Sequence, residues 1–206
     1  MSMPAELKAK LAAEIQRTPS PTRSQLSLRT AIAVVVGLVG TAIILGRHGI
    51  RPGTREPFFM AAVTLIMLSF AARTLLAAMG SLWTSPRGTQ RLVAMPFVLL
   101  SAVAIAYAQA PAQAHSLRGD LPCVLMTLAI GGIVGAAVFV ARRATEPLRP
   151  TLNGLLLASF SAAVAGAAVF LACPLAETWH FAIGHVGGAI LLGGLLGAIG
   201  ARVMRA

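Results

Sequence analysis

Cys123, Cys173, His180 and His185 are the side chains of this sequence with the broadest chemistry. Three of them fall in one stretch, FLACPLAETWHFAIGH, Phe170 to His185, beside Glu177 and Trp179. Thiolates and imidazoles are the donors that soft and borderline metals prefer, and neighbouring thiols also undergo redox chemistry. Asp120 stands just before Cys123, and His48 and His115 add imidazoles on other connecting segments. His180, His185, Glu177 and Asp120 are therefore candidate accessory metal ligands around Cys123 and Cys173, a candidate redox- or metal-sensing pair. No metal-finger spacing occurs, so residue type and location carry this reading rather than a motif. Each histidine equally suits an interfacial side chain with one wet end, and each cysteine a small buried hydrophobe.

Catalytic patterns point away from an enzyme. The chain has no His-Glu-x-x-His helix, no phosphate-cradling glycine loop and no nucleophile elbow. Its acids, Glu6, Glu14, Glu56, Asp120, Glu146 and Glu177, all fall in the tail, loops or span edges. Proton-coupled carriers typically keep a carboxylate inside a span, so this placement also lowers the case for such a carrier.

The elements that must position these residues are membrane helices. Hydrophobic residues make up 57% of the 206 and charged residues only 11%, against about a quarter charged in soluble domains. Apolar runs able to cross a bilayer, each roughly 17–25 residues, are read at Thr30–Gly46, Phe58–Met79, Leu92–Gln109, Leu121–Val140, Leu152–Leu171 and Trp179–Val203. The expected fold is all-α: a polytopic six-transmembrane-helix bundle with a short N-terminal cytoplasmic helix. Two regions follow, a cytoplasmic tail at 1–29 and a transmembrane sensor domain at 30–206. Short links predict three antiparallel helical hairpins.

Basic residues orient the bundle, since Lys and Arg near span ends stay cytoplasmic. With both termini inside, Lys8, Lys10, Arg17, Arg23, Arg29, Arg87, Arg91, Arg142, Arg143, Arg149, Arg202 and Arg205 are cytoplasmic, against Arg47, Arg51, Arg55 and Arg118 outside. The formal charge of +11 is thus a topology signal. The lipid bilayer is the implied partner, and direct nucleic-acid binding is not expected, because no soluble domain presents a basic face. Arg73, inside the second span, is expected to snorkel toward the cytoplasm.

The tail, Met1 to Arg29, has no apolar signal-peptide core. Within it PAELKAKLAAEIQR places Leu7, Leu11 and Ile15 on one helical stripe, with Pro4 and Glu6 suited to a first turn. Such a helix is too short to be stable alone in water, so its stripe needs a protein groove or a headgroup layer. In the last span Gly184 and Gly188, then Gly193 and Gly197, have small-xxx-small spacing for close packing within the bundle or across a dimer. Pro96 is expected to kink the third span, leaving neighbouring groups to satisfy a freed carbonyl.

In this topology both cysteines lie at the outer face. Counted from Glu146 in the cytoplasmic loop, Cys123 is 23 residues away and Cys173 is 27, a difference of about 6 Å along a helix. Shared depth admits a disulfide, a shared metal or two separate reactive thiols.

The order of these features resembles the NrsF family of six-span bacterial anti-sigma factors. A cysteine opens span four, and a basic loop leads to Pro150. LNGLLLASFSAAVAGAAVF follows as a small-residue span, then Cys173 and Pro174, a Trp and a glycine-rich last span ending in Arg. The Leu-rich tail helix, prolines and Arg29 fit as well, so the resemblance covers nearly the whole chain. It implies that the tail, through Leu7, Leu11 and Ile15, holds an extracytoplasmic-function sigma factor at the bacterial inner membrane. It also implies that Cys123 and Cys173 sense stress such as heavy metal or redox change. No resident cofactor is required, and a heavy-metal ion bound transiently at the cysteines is the ligand this admits. Ala172 and Leu175 depart from the pattern, where a His and an acid are expected. The rival expectation is a small membrane transporter or transporter subunit for metal ions or small solutes, which metal flux in proteoliposomes distinguishes.

Overall fold

The computed structural model describes residues 6, 22–50, 56–80, 86–107, 117–143, 150–175 and 177–204. Six helices carry them: α1 (Arg23–His48), α2 (Pro57–Ala78), α3 (Pro86–Tyr107), α4 (Leu117–Ala141), α5 (Pro150–Ala172) and α6 (Thr178–Val203). All six are long and apolar enough to cross a membrane, and no strand occurs among the described residues. The chain is an all-α, multi-pass membrane bundle. The expected tail helix at Leu7, Leu11 and Ile15 lies outside the described residues.

Local sequence sets the helix limits. Thr22 caps α1 with a capping box: its Oγ1 accepts from Gln25 N at 3.3 Å while its own N–H donates to Gln25 Oε1 at 3.1 Å. This starts α1 seven residues ahead of the apolar run at Thr30. Gly49, at φ 76°, ends it in a backbone conformation that a Cβ would oppose. Pro57 opens α2 at a position where a missing N–H costs nothing. Several hydroxyls inside the spans bond back to their own helix, as Thr30 does to Leu26 O and Ser161 to Leu157 O, so they need no water in hydrocarbon.

Helix α5 is the axis of the bundle. Every residue from Leu156 to Phe170 is buried, and 89% of its apolar window lies inside the protein, against 22% for α1. All five other helices pack on it. The cause is its run of Ala, Gly and Ser: lipid offers no hydrophobic drive for helix pairing, so close backbone approach and van der Waals contact decide the partner. At Gly154 an added Cβ would lie 2.9 Å from Ala201 N and 3.0 Å from Gly200 C, the backbone of α6 itself.

This centre corrects the expectation of three hairpins. Among the described residues only α5 with α6 packs as such a hairpin; α1 packs on α4 rather than on α2, and α3 packs on α2, α5 and α6 rather than on α4. Gly37 and Gly40 of α1 face Val134 and Ile133 of α4 closely enough that an added Cβ would sit 3.2 Å from the Val134 Cα and 3.0 Å from the Ile133 Cγ2. The glycine pairs of the last span face inward as well, Gly184 and Gly188 toward α4, Gly193 toward Phe97 and Gly197 toward Leu155. The outward faces are apolar: Ile32, Val35, Val36, Val39 and Ile43 of α1 are exposed, as a lipid-facing surface requires. Arg73 is exposed on α2, five residues from its C-terminal end, a position from which its side chain can reach the interface.

Pro96 sits inside α3, and Ser159 Oγ of α5 donates to Val93 O at 3.1 Å. That hydrogen bond reaches α3 one residue from Leu92, whose carbonyl loses its helical partner to the proline.

Candidate metal centre

Three elements meet at one end of the bundle. The first turns of α4 carry Asp120 and Cys123, three residues apart and so on one helix face. Cys173 is the first residue beyond α5, its N–H still donating to Val169 O at 2.9 Å, and Pro174 stops the helix there. The start of α6 carries His180 and His185.

The two imidazoles owe their proximity to a change of helix type. Residues five apart on an α-helix point about 140° from each other. From Phe181 to Gly187, however, α6 is a π-helix, whose wider turn brings such residues toward one side. The rings of His180 and His185 lie 5.6 Å apart, edge to face, and His185 stacks on Phe181 at 4.4 Å. Gly184 keeps α4 close, since a Cβ there would lie 3.2 Å from Cys123 Cβ.

One nitrogen of His180 is tied down and the other aims at sulfur. Nδ1 lies 2.8 Å from Asp120 Oδ1, while Nε2 lies 3.0 Å from Cys173 Sγ and 3.4 Å from Cys123 Sγ. A carboxylate can only accept, so Nδ1 carries the proton that bonds Asp120 and Nε2 faces the sulfurs. Hydrogen bonding from Cys123, and then from His180 and His185, pulls the Cys173 thiol well below the usual thiol range, although burial acts in the opposite direction. Cys173, His180, His185 and Asp120 are all less than 5% exposed.

One donor atom from each of Cys123, Cys173, His180 and His185 lies within 4.8 Å of all the others. Around a tetrahedral ion, sulfur and nitrogen ligands stand about 3.5 Å apart, so the set closes on an ion with small shifts. Two sulfurs and two imidazoles, one oriented by a carboxylate, are the donor chemistry of a soft or borderline cation. The cluster is therefore capable of holding a metal ion. Neither cysteine is in a disulfide.

Of the accessory candidates, His180 and His185 join the cysteines. Asp120 stands behind His180, and Glu177 occupies the N-cap position of α6, outside the group of four. His48 is exposed at the end of α1, and His115 lies outside the described residues. A cavity of about 680 Å³ adjoins the cluster, lined by Cys123, Cys173 and Met126, with Arg47 and His48 also on its wall.

Sequence reading missed two structural contributors. Thr127, one turn after Cys123, donates to Cys123 O at 2.8 Å and faces Gly188, and no motif marks it. Arg142, read as a loop charge, is only 2% exposed and donates to Ala78 O at 2.9 Å, capping the C-terminus of α2.

With paired cysteines at one end of a six-span bundle, comparison with known families decides the class. The model of the NrsF family, negative regulator of sigma F, matches residues 11–205. The chain belongs to the NrsF family. No curated protein and no solved structure matches it. As an NrsF-family member it is a membrane regulator of a sigma factor, and its role is regulatory rather than enzymatic.

Proposed function

We propose that this protein is an anti-sigma factor of the bacterial inner membrane whose thiol and imidazole cluster faces outward and senses heavy metal. The carrying observation is the convergence of Cys123, Cys173, His180 and His185 within 4.8 Å. Both termini are cytoplasmic on this reading. The tail, residues 1–29, holds an extracytoplasmic-function sigma factor through Leu7, Leu11 and Ile15, and release follows binding at the cysteines.

The four donors sit on three separate elements, which supports a conformational signal. A bound soft cation would bond the two thiolates and two imidazoles into one unit. Cys123 of α4, Cys173 at the end of α5 and the start of α6 then shift together. Helix α4 carries this displacement along its length, and α1, which packs on α4 and follows directly from the tail, passes it on. The signal must cross roughly 30 Å of hydrocarbon, and packed helices with two arrangements are the means available. The cavity at Cys123 and Cys173 supports direct access for the ion.

The test is co-expression of candidate sigma factors with the tagged full-length protein and with a version lacking residues 1–20. Capture by the full-length protein alone, reversed by added cadmium or copper, is the expected result. Capture that persists without residues 1–20 would sink the tail assignment. Release by metal from a Cys123→Ser, Cys173→Ser double variant would remove the cysteines from the mechanism.

A further inference from the structure

A second cavity lies at the other end of the bundle, away from the cluster. It opens between α4 and α6, measures about 650 Å³, and has Gly132, Ala136, Leu196 and Ile199 on its walls. The small residues make the space: a Cβ added at Gly132 would meet nothing within 4 Å. Ile199 is 49% exposed, so this wall is open to the lipid side of the bundle. Among the described residues two side chains at the mouth are charged, and both are exposed arginines. Arg143 lies just past the end of α4, and Arg202 lies in the last turn of α6. They therefore stand at the same helix-end level, where phosphates sit in a bilayer. Among the described residues no acidic side chain lines the cavity. Arg142 does not contribute, because it is turned inward onto Ala78 O.

From this arrangement we infer that the crevice between α4 and α6 is a binding site for one anionic glycerophospholipid, its phosphate between Arg143 and Arg202 and an acyl chain along Gly132 and Ala136. Basic pockets between transmembrane helices select anionic headgroups in this way. The shape requires a chain as well as a charge, which separates a lipid from a free phosphate. A second copy of the protein docked symmetrically would bring arginine against arginine. The N-terminal tail offers Lys8, Lys10 and Arg17, which match the mouth poorly. The site also matters for the cluster, since α4 and α6 carry three of its four donors at their opposite ends. A lipid seated in the crevice sets how far these two helices splay.

The experiment is native mass spectrometry of the full chain in detergent, titrated with phosphatidylglycerol and, separately, with phosphatidylcholine. Preferential retention of phosphatidylglycerol is expected. Arg143→Gln with Arg202→Gln should weaken it about twenty-fivefold, taking about fivefold per arginine. Gly132→Leu fills the chain groove, leaves both arginines and favours helix, so it should lose the lipid while folding normally. Arg73→Gln, on α2 away from the crevice, should change nothing. Equal retention of the two lipids, undiminished selectivity in the double arginine variant, or full competition by inorganic phosphate alone would each overturn the assignment.

Discussion

His180 Nδ1 and Asp120 Oδ1 lie 2.8 Å apart across the α4–α6 interface, and both side chains are almost wholly buried. The carboxylate fixes the ring so that Nε2 points at both sulfurs, the arrangement in which a second-layer acid raises the basicity of a metal ligand. Asp120→Asn keeps the size and an acceptor oxygen but removes the charge. Metal affinity measured by competition with a chromophoric chelator should fall about 10- to 100-fold. Unchanged affinity would show that the carboxylate plays no part in ligand orientation.

Cys173 should remain a thiolate at pH values where an ordinary thiol, with a pKa of about 8.5, is protonated. Its folded-state pKa is lowered, chiefly through the hydrogen bond from Cys123. The stabilisation this represents is present above the unfolded value and is lost as pH falls through the lowered one. Thiolate ultraviolet absorbance, taken as the difference between the native protein and Cys173→Ser, should persist at pH 6. Its disappearance between pH 9 and pH 8 would contradict the placement.

Gly184→Val tests the fit between α4 and α6 at the cluster. The added Cβ alone comes within 3.2 Å of Cys123 Cβ, and the further methyls must push the helices apart. The variant should insert and fold yet bind metal more weakly than the native protein. Calorimetric titration with cadmium reads this directly, and native affinity would mean that the cluster tolerates separation of its helices.

Gly154→Ala acts on the α5–α6 crossing, where the obstructing atoms are α6 backbone and cannot rotate away. Overpacking of this kind destabilises by about 1–3 kcal/mol. Gly46→Ala, where an added Cβ meets nothing within 4 Å, is the matched control and should not destabilise. Thermal unfolding in detergent compares the two.

Arg142→Met retains much of the side chain's length but removes the donor that caps α2. Loss of a buried charged hydrogen bond costs about 1.5–3 kcal/mol, so the melting temperature should drop. A neutral result would assign Arg142 to orientation in the membrane alone.

The sequence by itself determined the six spans, because an apolar run of sufficient length has one low-energy place in a bilayer. It also matched the depths of Cys123 and Cys173, since helix rise converts residue count into distance. The NrsF resemblance was legible in the order of cysteine, basic loop, small-residue span and Cys-Pro. What only the tertiary structure decided lies between helices. His180 and His185 are five residues apart, a spacing that an α-helix would splay, and the π-turn that brings them together has no signature beyond the nearby glycines. The packing of α1 on α4 and the central place of α5 depend on which small-residue surfaces approach most closely, and several spans offer such surfaces. Arg142 reads as a loop charge because it follows α4 immediately. Its burial depends on where the carbonyl of Ala78, sixty-four residues away in sequence, is delivered by the packing of α2.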